Sequence, residues 1–547
     1  MDQTKPCTVG SYLIHRLKEL GVEHVFGVPG DYVLGFYELL TTTPGIEMVC
    51  TCNELGAGYA ADAYARVRGL GAACVTYAVG GFSLVNAAAG ALAERIPLVI
   101  ISGGPSLSKR GPEDQLHHTL PDPEAVRRTF EPLCLASTIL SDPDQARAEI
   151  DRALSLCLEE KGPVYLELPL DLVDPSCPKP EPWAERKGRR ADSKVLAEAV
   201  EASLEIIGRA RRPVVWAGHE LGEEGALSAL LELLKRTGWP VVSSRQAKGI
   251  FPESEDHYQG VYKGQWSQAE IRELVEESEA VLNLGVWPTS VNTGGYSTKL
   301  DPARTIQAYQ GQVRIGDRAF GPLGLGEFIK ALGLALGGWE PAQINAPAFP
   351  DQDRPEFQPR PRARLTAARF YERLAGFFRP EHLVLADTGG PMIAMSEVPL
   401  PEGTEYMIQG FYLSLGFTVP AGLGAGLAAP ARRPVLLAGD GAFQMTGQEV
   451  STMVRQGLSP VIFVLNNDGY QIERIILDGP FNDLQPWKYH LIPELVGGGW
   501  GTKVETEGEL EEALKKAQAE PDSLALIEVS LERYDLPPAM AKLTGGD

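Results

Sequence analysis

The sequence predicts an α/β protein built from three domains, each with a doubly wound parallel sheet. Short, continuously apolar segments alternate with amphipathic helical stretches along the chain, which is typical of parallel strands covered on both faces. Two Pro-rich polar stretches, residues 174–192 and 339–364, divide the chain into pieces of domain size. A length of 547 residues also suits about three or four domains. We therefore expect domains over residues 1–180, 190–340 and 360–547.

Each expected domain contains at least two apolar segments that predict buried strands. They cover residues 97–103 and 163–168, then 213–217 and 280–284, then 434–438 and 460–465. Residues 210–218 resemble residues 431–439, so the second and third domains share a local pattern. The two copies diverge immediately afterwards, at His219 and Asp440. Only the later strand therefore leads into an acidic residue flanked by glycines.

Composition excludes several classes of function. The chain has 50 Lys and Arg against 72 Asp and Glu, a net charge of −22, which argues against a nucleic-acid partner. The basic run from Arg186 to Arg190 is interpreted as a solvated linker. No apolar run reaches the roughly 18 residues of a membrane span, and no secretory signal is visible. Seven scattered cysteines without a CxxC pair fit free thiols, so we expect a cytoplasmic protein without a zinc site.

Two strand ends in the third domain indicate a metal and phosphate site. The first leads into Asp440 and a helical stretch predicted from about residue 446 to 456, and the second leads into Asn467 and Gly469. Ligands of open α/β sheets bind at such ends, and a helix start suits a phosphate. A carboxylate there would repel phosphate unless a cation lay between them, and Mg²⁺ prefers such oxygen ligands. We expect Asp440, the Asn467 amide oxygen and the Gly469 carbonyl to bind Mg²⁺, although each fragment alone is more typical of a cap or a turn.

The Gly-Asp-Gly triplet at 439–441, followed by Asn-Asn at 466–467, resembles the motif of thiamine diphosphate-dependent enzymes. The resemblance implies pyrimidine-binding, central and diphosphate-binding domains in that order, with Gly441 and Ala442 also contacting the cofactor. It identifies Glu54 as the carboxylate that activates the cofactor through its aminopyrimidine ring. Alone, a Glu at a helix start is more often a partner of the helix dipole. Leu415 is similar to the side chain that wedges the cofactor into its bent shape. The carbonyl of Leu413, where relatives commonly have Gly, is implied to accept from its exocyclic amine.

Further motifs resemble the pyruvate and indolepyruvate decarboxylase branch of that family, which also includes branched-chain 2-keto acid decarboxylases. They are Phe26-Gly27-Val28-Pro29-Gly30-Asp31-Tyr32, the pair His117-His118, and Asn467-Asp468-Gly469-Tyr470 leading to Glu473. The implied reaction is non-oxidative decarboxylation of a 2-keto acid to an aldehyde and CO₂, through a cofactor ylide and an enamine, with carboligation as a further activity. Asp31 and the His pair are implied to handle protonation and product release, and Glu473 to lie by the leaving carboxylate. How they divide the proton stays open. Singly, these residues are more typical of a cap, a polar loop and a surface charge.

The family resemblance also concerns subunits and substrate. Glu54 and the His pair are implied to come from one subunit and the metal site from another, so we expect a homodimer as the minimal active unit and a homotetramer as the assembly. The implied pocket residues are Thr388, Met392, Ile472 and Ile476, of which Thr388 and Ile472 also contact the cofactor. Because Met392 stands where relatives often carry an aromatic residue, a flexible thioether there favours broad specificity, including aromatic or branched-chain 2-keto acids as well as pyruvate. Two departures from the family are a shorter loop over residues 479–487 and an abbreviated C-terminal helix after Met540.

Some readings remain open at this point. The middle domain shows no chemical constellation. Its loop over residues 285–294 resembles one that approaches the active site in relatives, but structural filling is the favoured interpretation. One alternative function is a thiamine diphosphate carboligase of the acetolactate synthase type, which shares Glu54 and the Gly-Asp-Gly motif but is disfavoured by the His pair and Glu473. Another is a non-catalytic assembly protein that retains the fold, and the intact set of acid–base residues argues against it.

Overall fold

The computed structural model describes residues 6–111, 113–183, 192–337 and 357–542. The basic run from Arg186 to Arg190 and much of the two predicted joints lie outside the described residues, so the exact domain boundaries stay predictions. None of the helices in the described ranges is long and apolar enough to cross a membrane.

The first domain contains a six-stranded, wholly parallel sheet, as the sequence predicts. Its spatial order is β2-β1-β3-β4-β6-β5. The strands are β1 (His24–Gly27), β2 (Glu47–Cys50), β3 (Gly71–Val75), β4 (Leu98–Gly104), β5 (Ala136–Ile139) and β6 (Val164–Pro169). The helices are α1 (Val9–Glu19), α2 (Leu34–Thr42), α3 (Glu54–Arg68), α4 (Val79–Ser83), α5 (Val85–Ala93), α6 (Ala125–Phe130) and α7 (Pro143–Glu159). Strands β3, β4 and β6 are buried along their whole length, as expected of strands covered on both faces.

The sheet of the middle domain is mostly parallel, as predicted, and has an antiparallel edge that the sequence did not indicate. Its seven strands lie in the order β13-β12-β11-β10-β7-β8-β9, and β12 and β13 run antiparallel to their neighbours. The strands are β7 (Pro213–Ala217), β8 (Val241–Ser243), β9 (Tyr258–Val261), β10 (Ala280–Leu284), β11 (Thr305–Tyr309), β12 (Gln312–Ile315) and β13 (Arg318–Phe320). The helices are α8 (Ser193–Ile207), α9 (Ala226–Thr237), α10 (Ala269–Glu276) and α11 (Leu325–Ala335). The reversal follows from a two-residue turn in which Gln310 and Gly311 both have positive φ, the geometry that joins antiparallel strands.

The third domain again has a six-stranded parallel sheet, in the order β15-β14-β16-β17-β19-β18. The strands are β14 (His382–Ala386), β15 (Glu405–Met407), β16 (Arg433–Gly439), β17 (Val461–Asn466), β18 (Trp500–Val504) and β19 (Ala525–Ser530). The helices are α12 (Ala367–Ala375), α13 (Gly390–Met395), α14 (Thr418–Ala428), α15 (Asp440–Thr446), α16 (Val450–Arg455), α17 (Gln471–Ile476), α18 (Ile492–Val496), α19 (Glu507–Ala519) and α20 (Pro538–Ala541). Strands β16 and β17 are neighbours, so the two motifs after them emerge side by side.

The helix after the Gly-Asp-Gly triplet begins earlier than predicted. Helix α15 starts at Asp440 itself, and a short 3₁₀ segment at Gly447–Glu449 separates it from α16. The Asp440 carboxylate accepts from the backbone N–H of Gly441 at 2.8 Å, which satisfies an amide that a helix start leaves free. The helical stretch predicted from about residue 446 to 456 is present as the 3₁₀ segment and α16, and α15 adds a helix before it.

The first and third domains of the chain pack tightly against each other through α3 and α14. A Cβ atom on Gly424 of α14 would lie 1.8 Å from the backbone oxygen of Ala60 in α3, so only glycine allows this approach. A second contact is made by the buried carboxylate of Glu449, which accepts from the N–H of Cys52 at 2.9 Å. This contact holds the turn that leads into α3 and Glu54.

Candidate active site

A cavity of about 550 Å³ opens at the carboxyl edge of the third sheet. It brings together every site residue that the sequence placed in this domain: Thr388, Met392, Leu413, Leu415, Asp440, Gly441, Ala442, Asn467, Gly469, Ile472, Glu473 and Ile476. They come from different segments, so their meeting is a result of the fold and not of sequence proximity. Most of the wall is apolar, and the polar groups are concentrated after β16 and β17.

Asp440 is held by backbone amides at the edge of the cavity. It is 2% exposed, and besides Gly441 it accepts from the N–H groups of Asn467 at 3.1 Å and Gly469 at 2.9 Å. Burial raises the pKa of Asp440 to about 6, while the three amide donors act in the opposite direction. The Asn467 Oδ1 atom is buried and has no hydrogen-bond partner among the described residues. An oxygen without a donor beside a buried carboxylate fits a divalent cation.

The turn after β17 has an unusual backbone that sequence reasoning did not anticipate. Asp468 and Gly469 have φ of 63° and 145°. A Cβ atom on Gly469 would lie 2.0 Å from the backbone oxygen of Asn482, so glycine is required there. The buried guanidinium of Arg474 donates to the Asn467 carbonyl at 3.0 Å and to the Asp483 carboxylate at 2.8 Å. Arg474 therefore fixes the shape of the turn that carries Asn467 and Gly469.

The segment before α14 forms another part of the wall. Leu413 has a φ of 61°, the left-handed conformation that glycine adopts most easily. The backbone at Leu413 thus takes a conformation typical of the Gly that the resemblance associates with this position. The buried Asp387 carboxylate accepts from Gly416 N–H at 3.2 Å and Thr418 N–H at 3.1 Å, and burial raises its pKa to about 6. Asp387 is a positioning group that the sequence analysis missed.

Asp31, His117 and His118 form a second cluster, at the carboxyl edge of the first sheet. His117 Nε2 lies 2.5 Å from Asp31 Oδ2. One carboxylate oxygen of Asp31 and one ring nitrogen of each histidine lie within 4.8 Å of one another. Tyr32 stacks on His117, with ring centroids 4.9 Å apart, and its hydroxyl donates to the His117 carbonyl at 3.0 Å. The Asp31 and His117 side chains are 52% and 57% exposed. The predicted acid–base residues of this domain therefore do come together, on an open surface.

Glu54 lies at the same edge of the first sheet and begins helix α3, as predicted. Asn53 caps the helix by accepting from Gly56 N–H at 2.7 Å. One Glu54 carboxylate oxygen would lie 3.4 Å from a Cβ atom on Gly80, near the start of α4. On α4, Val79 and Phe82 are exposed, which leaves an apolar surface beside the carboxylate.

The two groups of predicted site residues are separate in one chain. Asp31, Glu54, His117 and His118 are not among the residues that line the 550 Å³ cavity of the same chain. Exposed apolar side chains flank the cavity as well, including Ile476, Leu477 and Phe481. The separation is compatible with a site shared between subunits, which stays a prediction.

The middle domain contributes to the cavity wall, contrary to expectation. Val291, in the loop interpreted as structural filling, lines the cavity together with Arg245 and Trp266. This position of Val291 favours the alternative interpretation, in which the loop approaches the site. Arg245 follows the carboxyl end of β8, so the rule that ligands bind at strand ends is the signal that could have identified it.

Comparison with known proteins adds independent findings. Three thiamine pyrophosphate enzyme family models match the chain: the N-terminal TPP-binding domain over residues 7–126, the central domain over 200–330 and the C-terminal TPP-binding domain over 387–529. A protein of Mycolicibacterium paratuberculosis named alpha-keto-acid decarboxylase is 38% identical over 99% of this chain and 97% of its own length. Proteins of the same name from Mycobacterium tuberculosis and Mycobacterium ulcerans are each 37% identical over 98% of this chain, and over 97% and 96% of their own lengths.

Proposed function

The chain belongs to the thiamine diphosphate-dependent 2-keto acid decarboxylase family, and we propose that it converts a 2-keto acid into an aldehyde and CO₂ without oxidation. Membership of this family makes it an enzyme, a carboxy-lyase with thiamine diphosphate as its cofactor. The observation that carries the proposal is the meeting of Asp440, Asn467 and Glu473 in one cavity, in a chain whose full-length relatives are named alpha-keto-acid decarboxylases. A cytoplasmic location stays a prediction.

The residues at the strand ends fit the cofactor and its metal. Asp440, the Asn467 amide oxygen and the Gly469 carbonyl would bind Mg²⁺, and Gly441 and Ala442 at the start of α15 would face the diphosphate. The buried, unpartnered Asn467 oxygen supports this assignment, because a buried polar atom without a partner is costly. Thiamine diphosphate supplies, when bound, an electron sink for the bond that breaks as CO₂ leaves.

The substrate would occupy the apolar part of the cavity. Met392, Ile472 and Ile476 can contact its side chain, and the unbranched thioether of Met392 adapts to different shapes. Glu473 would lie beside the carboxylate that is lost. The Asp31 and His117 pair, steadied by Tyr32, would hold the proton that replaces it. We therefore propose broad specificity that includes branched-chain and aromatic 2-keto acids.

A complete site would need two subunits. Glu54 and the Asp31 cluster lie outside the cavity of their own chain, and both regions expose apolar side chains. Acid–base groups that are half exposed work better when a partner excludes water from them. A homodimer in which the first domain of one chain covers the third domain of the other is the smallest assembly that meets this need, and we propose a homotetramer as the complete protein.

The test is a series of 2-keto acids, from pyruvate to indolepyruvate, incubated with the protein, thiamine diphosphate and Mg²⁺. We expect release of the matching aldehyde and CO₂ in equal amounts, and loss of both when EDTA removes the metal. Acetolactate as the main product from pyruvate would indicate a carboligase instead. Failure to bind thiamine diphosphate and Mg²⁺ in a calorimetric titration would contradict the enzymatic proposal altogether.

A further inference from the structure

One charged group in the cavity wall has no role in the proposed decarboxylation. Arg245, in the short 3₁₀ helix after β8, is 3% exposed and lines the 550 Å³ cavity. Its Nε atom is buried without a partner, and no hydrogen bond or ion pair joins its guanidinium to any residue in the described part of the chain. A buried cation without a counter-ion is strongly unfavourable in a protein interior. Such a group is expected where a ligand supplies the missing negative charge.

The neighbouring charges do not neutralise Arg245. Glu397 is the acidic residue whose charge affects the pKa of Arg245. Its carboxylate is already bound by Lys263 at 2.9 Å and by Lys542 at 3.1 Å. Burial lowers the pKa of Arg245 to about 10, against the opposing effects of Tyr406 and Glu397. Burial also lowers the pKa of Lys263 to about 8, and the positive charge of Arg245 acts in the same direction. Lys263 and Lys542 thus already bind the one carboxylate that acts on Arg245, and they leave the guanidinium without a counter-ion of its own among the described residues.

The segment that carries Arg245 is fixed by contacts with the third domain. A Cβ atom on Gly410 would lie 2.4 Å from the Gln246 side chain, and a Cβ atom on Gly249 would lie 2.7 Å from Tyr406. Gln246 also accepts from the Asn292 amide at 2.8 Å. Because the backbone that follows Arg245 is packed against the third domain, this segment holds Arg245 at a set position in the cavity wall. The guanidinium can therefore discriminate between ligands by where they carry charge.

The charge that Arg245 binds is not the carboxylate that leaves. A fixed cation on that group would stabilise the substrate more than the transition state, in which the negative charge departs, and so would slow the reaction. A planar guanidinium suits a carboxylate that stays intact, because it can donate two parallel hydrogen bonds. The anion must therefore lie at the other end of the substrate.

On the basis of the proposed function, we propose that Arg245 binds a second carboxylate at the far end of the substrate side chain. The enzyme would then decarboxylate dicarboxylic 2-keto acids in preference to 2-keto acids of the same shape whose side chain is uncharged. The bond between C1 and C2 breaks, CO₂ leaves with C1, and a proton takes its place on C2. The product is an aldehyde that keeps the distal carboxylate. Arg245 takes no part in proton transfer and acts as a specificity-determining residue.

The experiment compares matched substrates in wild-type enzyme and in Arg245→Leu. One pair is 2-oxoglutarate and its neutral isostere 5-methyl-2-oxohexanoate, and a longer pair is 2-oxoadipate and 6-methyl-2-oxoheptanoate. In the wild type we expect a higher kcat/KM for the dicarboxylic member of at least one pair. In Arg245→Leu the ratio should fall by about 30-fold or more, chiefly through KM of the dicarboxylic acid, because a buried charge pair is lost. Arg245→Lys should retain part of the preference.

Controls separate this inference from its alternatives. Arg314→Leu removes the same charge from an exposed position of the same domain and should leave the ratio unchanged. Turnover of the neutral acid by Arg245→Leu shows that the variant is folded, and if that variant does not fold, the Arg245→Lys ratios decide. An unchanged ratio in the Arg245 variants, while neutral acids are still decarboxylated, would overturn the inference and leave the proposed function intact. Absence of aldehyde from every acid with the wild type would instead contradict the proposed function.

A last measurement excludes a role in cofactor binding. The affinity for thiamine diphosphate at saturating Mg²⁺, followed by tryptophan fluorescence, should be the same in wild type and Arg245→Leu. A clear loss of that affinity together with an unchanged substrate ratio would assign Arg245 to the diphosphate and overturn the proposal.

Discussion

The two acidic sites of the molecule are built in opposite ways. Asp440 is buried, and three backbone amides of its own domain hold its carboxylate. Asp31 is half exposed, and its close partner is the side chain of His117, itself on the surface. Both lie at the carboxyl edge of a six-stranded parallel sheet of the same kind. The same architecture therefore supports one carboxylate that is buried and hydrogen-bonded within its own domain and one that is exposed to solvent.

The difference indicates what each site still needs. A buried carboxylate beside an unpartnered amide oxygen needs a cation, which a small ion in solution can supply. An exposed acid–imidazole pair needs another protein surface to exclude water from it, because bulk water screens its charges and competes for its proton. Substitutions in each region can test this contrast, and the largest effect is expected from those that replace Glu54 or Asp440.

The strongest test uses one inactivating change in each region. Glu54→Gln and Asp440→Asn should each lower turnover by about 1,000-fold or more, because the first removes the acid proposed to activate the cofactor and the second removes a proposed metal ligand. After the two purified variants are unfolded and refolded together, activity should return to about a quarter of the wild-type value. Half of the dimers would then be mixed, and each would contain one intact site.

The matched control is the double variant Glu54→Gln/Asp440→Asn refolded with wild type. Mixed dimers of that kind carry one defect in each site if the sites are shared, and one intact site if each chain is self-sufficient. No recovery of activity in the first mixture would show that both regions act within one chain. It would contradict the proposal that the site is shared between two subunits.

A second test perturbs the Asp440 site without replacing any of its proposed metal ligands. Arg474→Met removes the guanidinium that donates to the Asn467 carbonyl and pairs with Asp483. We expect the Mg²⁺ concentration for half-saturation to rise by about 10- to 100-fold, as is usual when groups that orient metal ligands are lost. The readout is Mg²⁺-dependent quenching of protein fluorescence by thiamine diphosphate.

Arg533→Met is the control for that change. Arg533 also pairs with Asp483, at 3.1 Å, but donates to neither Asn467 nor Asp468 in the described structure. Its replacement should leave the Mg²⁺ requirement within about threefold of wild type. Equal effects of the two substitutions on the Mg²⁺ requirement would indicate that the ion pairs of Asp483, and not the hydrogen bonds to the turn, determine Mg²⁺ binding.

The smallest expected effect concerns backbone strain beside the cavity. Leu413 has a positive φ, which a β-branched residue tolerates poorly and glycine tolerates well. Leu413→Val should therefore lower the free energy of unfolding by about 1 kcal/mol more than Leu413→Gly does. Thermal unfolding of both variants measures the difference, and a greater loss in the glycine variant would show that side-chain packing outweighs strain here.

Much of the architecture was predictable because it depends on local patterns. Buried apolar segments identified β7 and β10 at their observed bounds, and the strand-end rule placed Asp440 beside Asn467. The reversal at Gln310 was missed, since positive φ at a residue other than glycine leaves little trace in a sequence. Arg245 was missed for a different reason. Its place after β8 follows the strand-end rule, but its lack of a partner depends on every residue packed around it and cannot be derived from its neighbours in the chain.

The contact between Gly424 and Ala60 has a consequence for how such an enzyme can diversify. Because no methyl group fits between these two backbones, any larger residue at position 424 would push α3 and α14 apart. The central domain supplies wall residues such as Arg245 and Val291 from outside that frame. Cavity-lining side chains of the central domain can therefore be exchanged without disturbing the contact between α3 and α14, so the range of accepted substrates can change separately from the packing of the two outer domains.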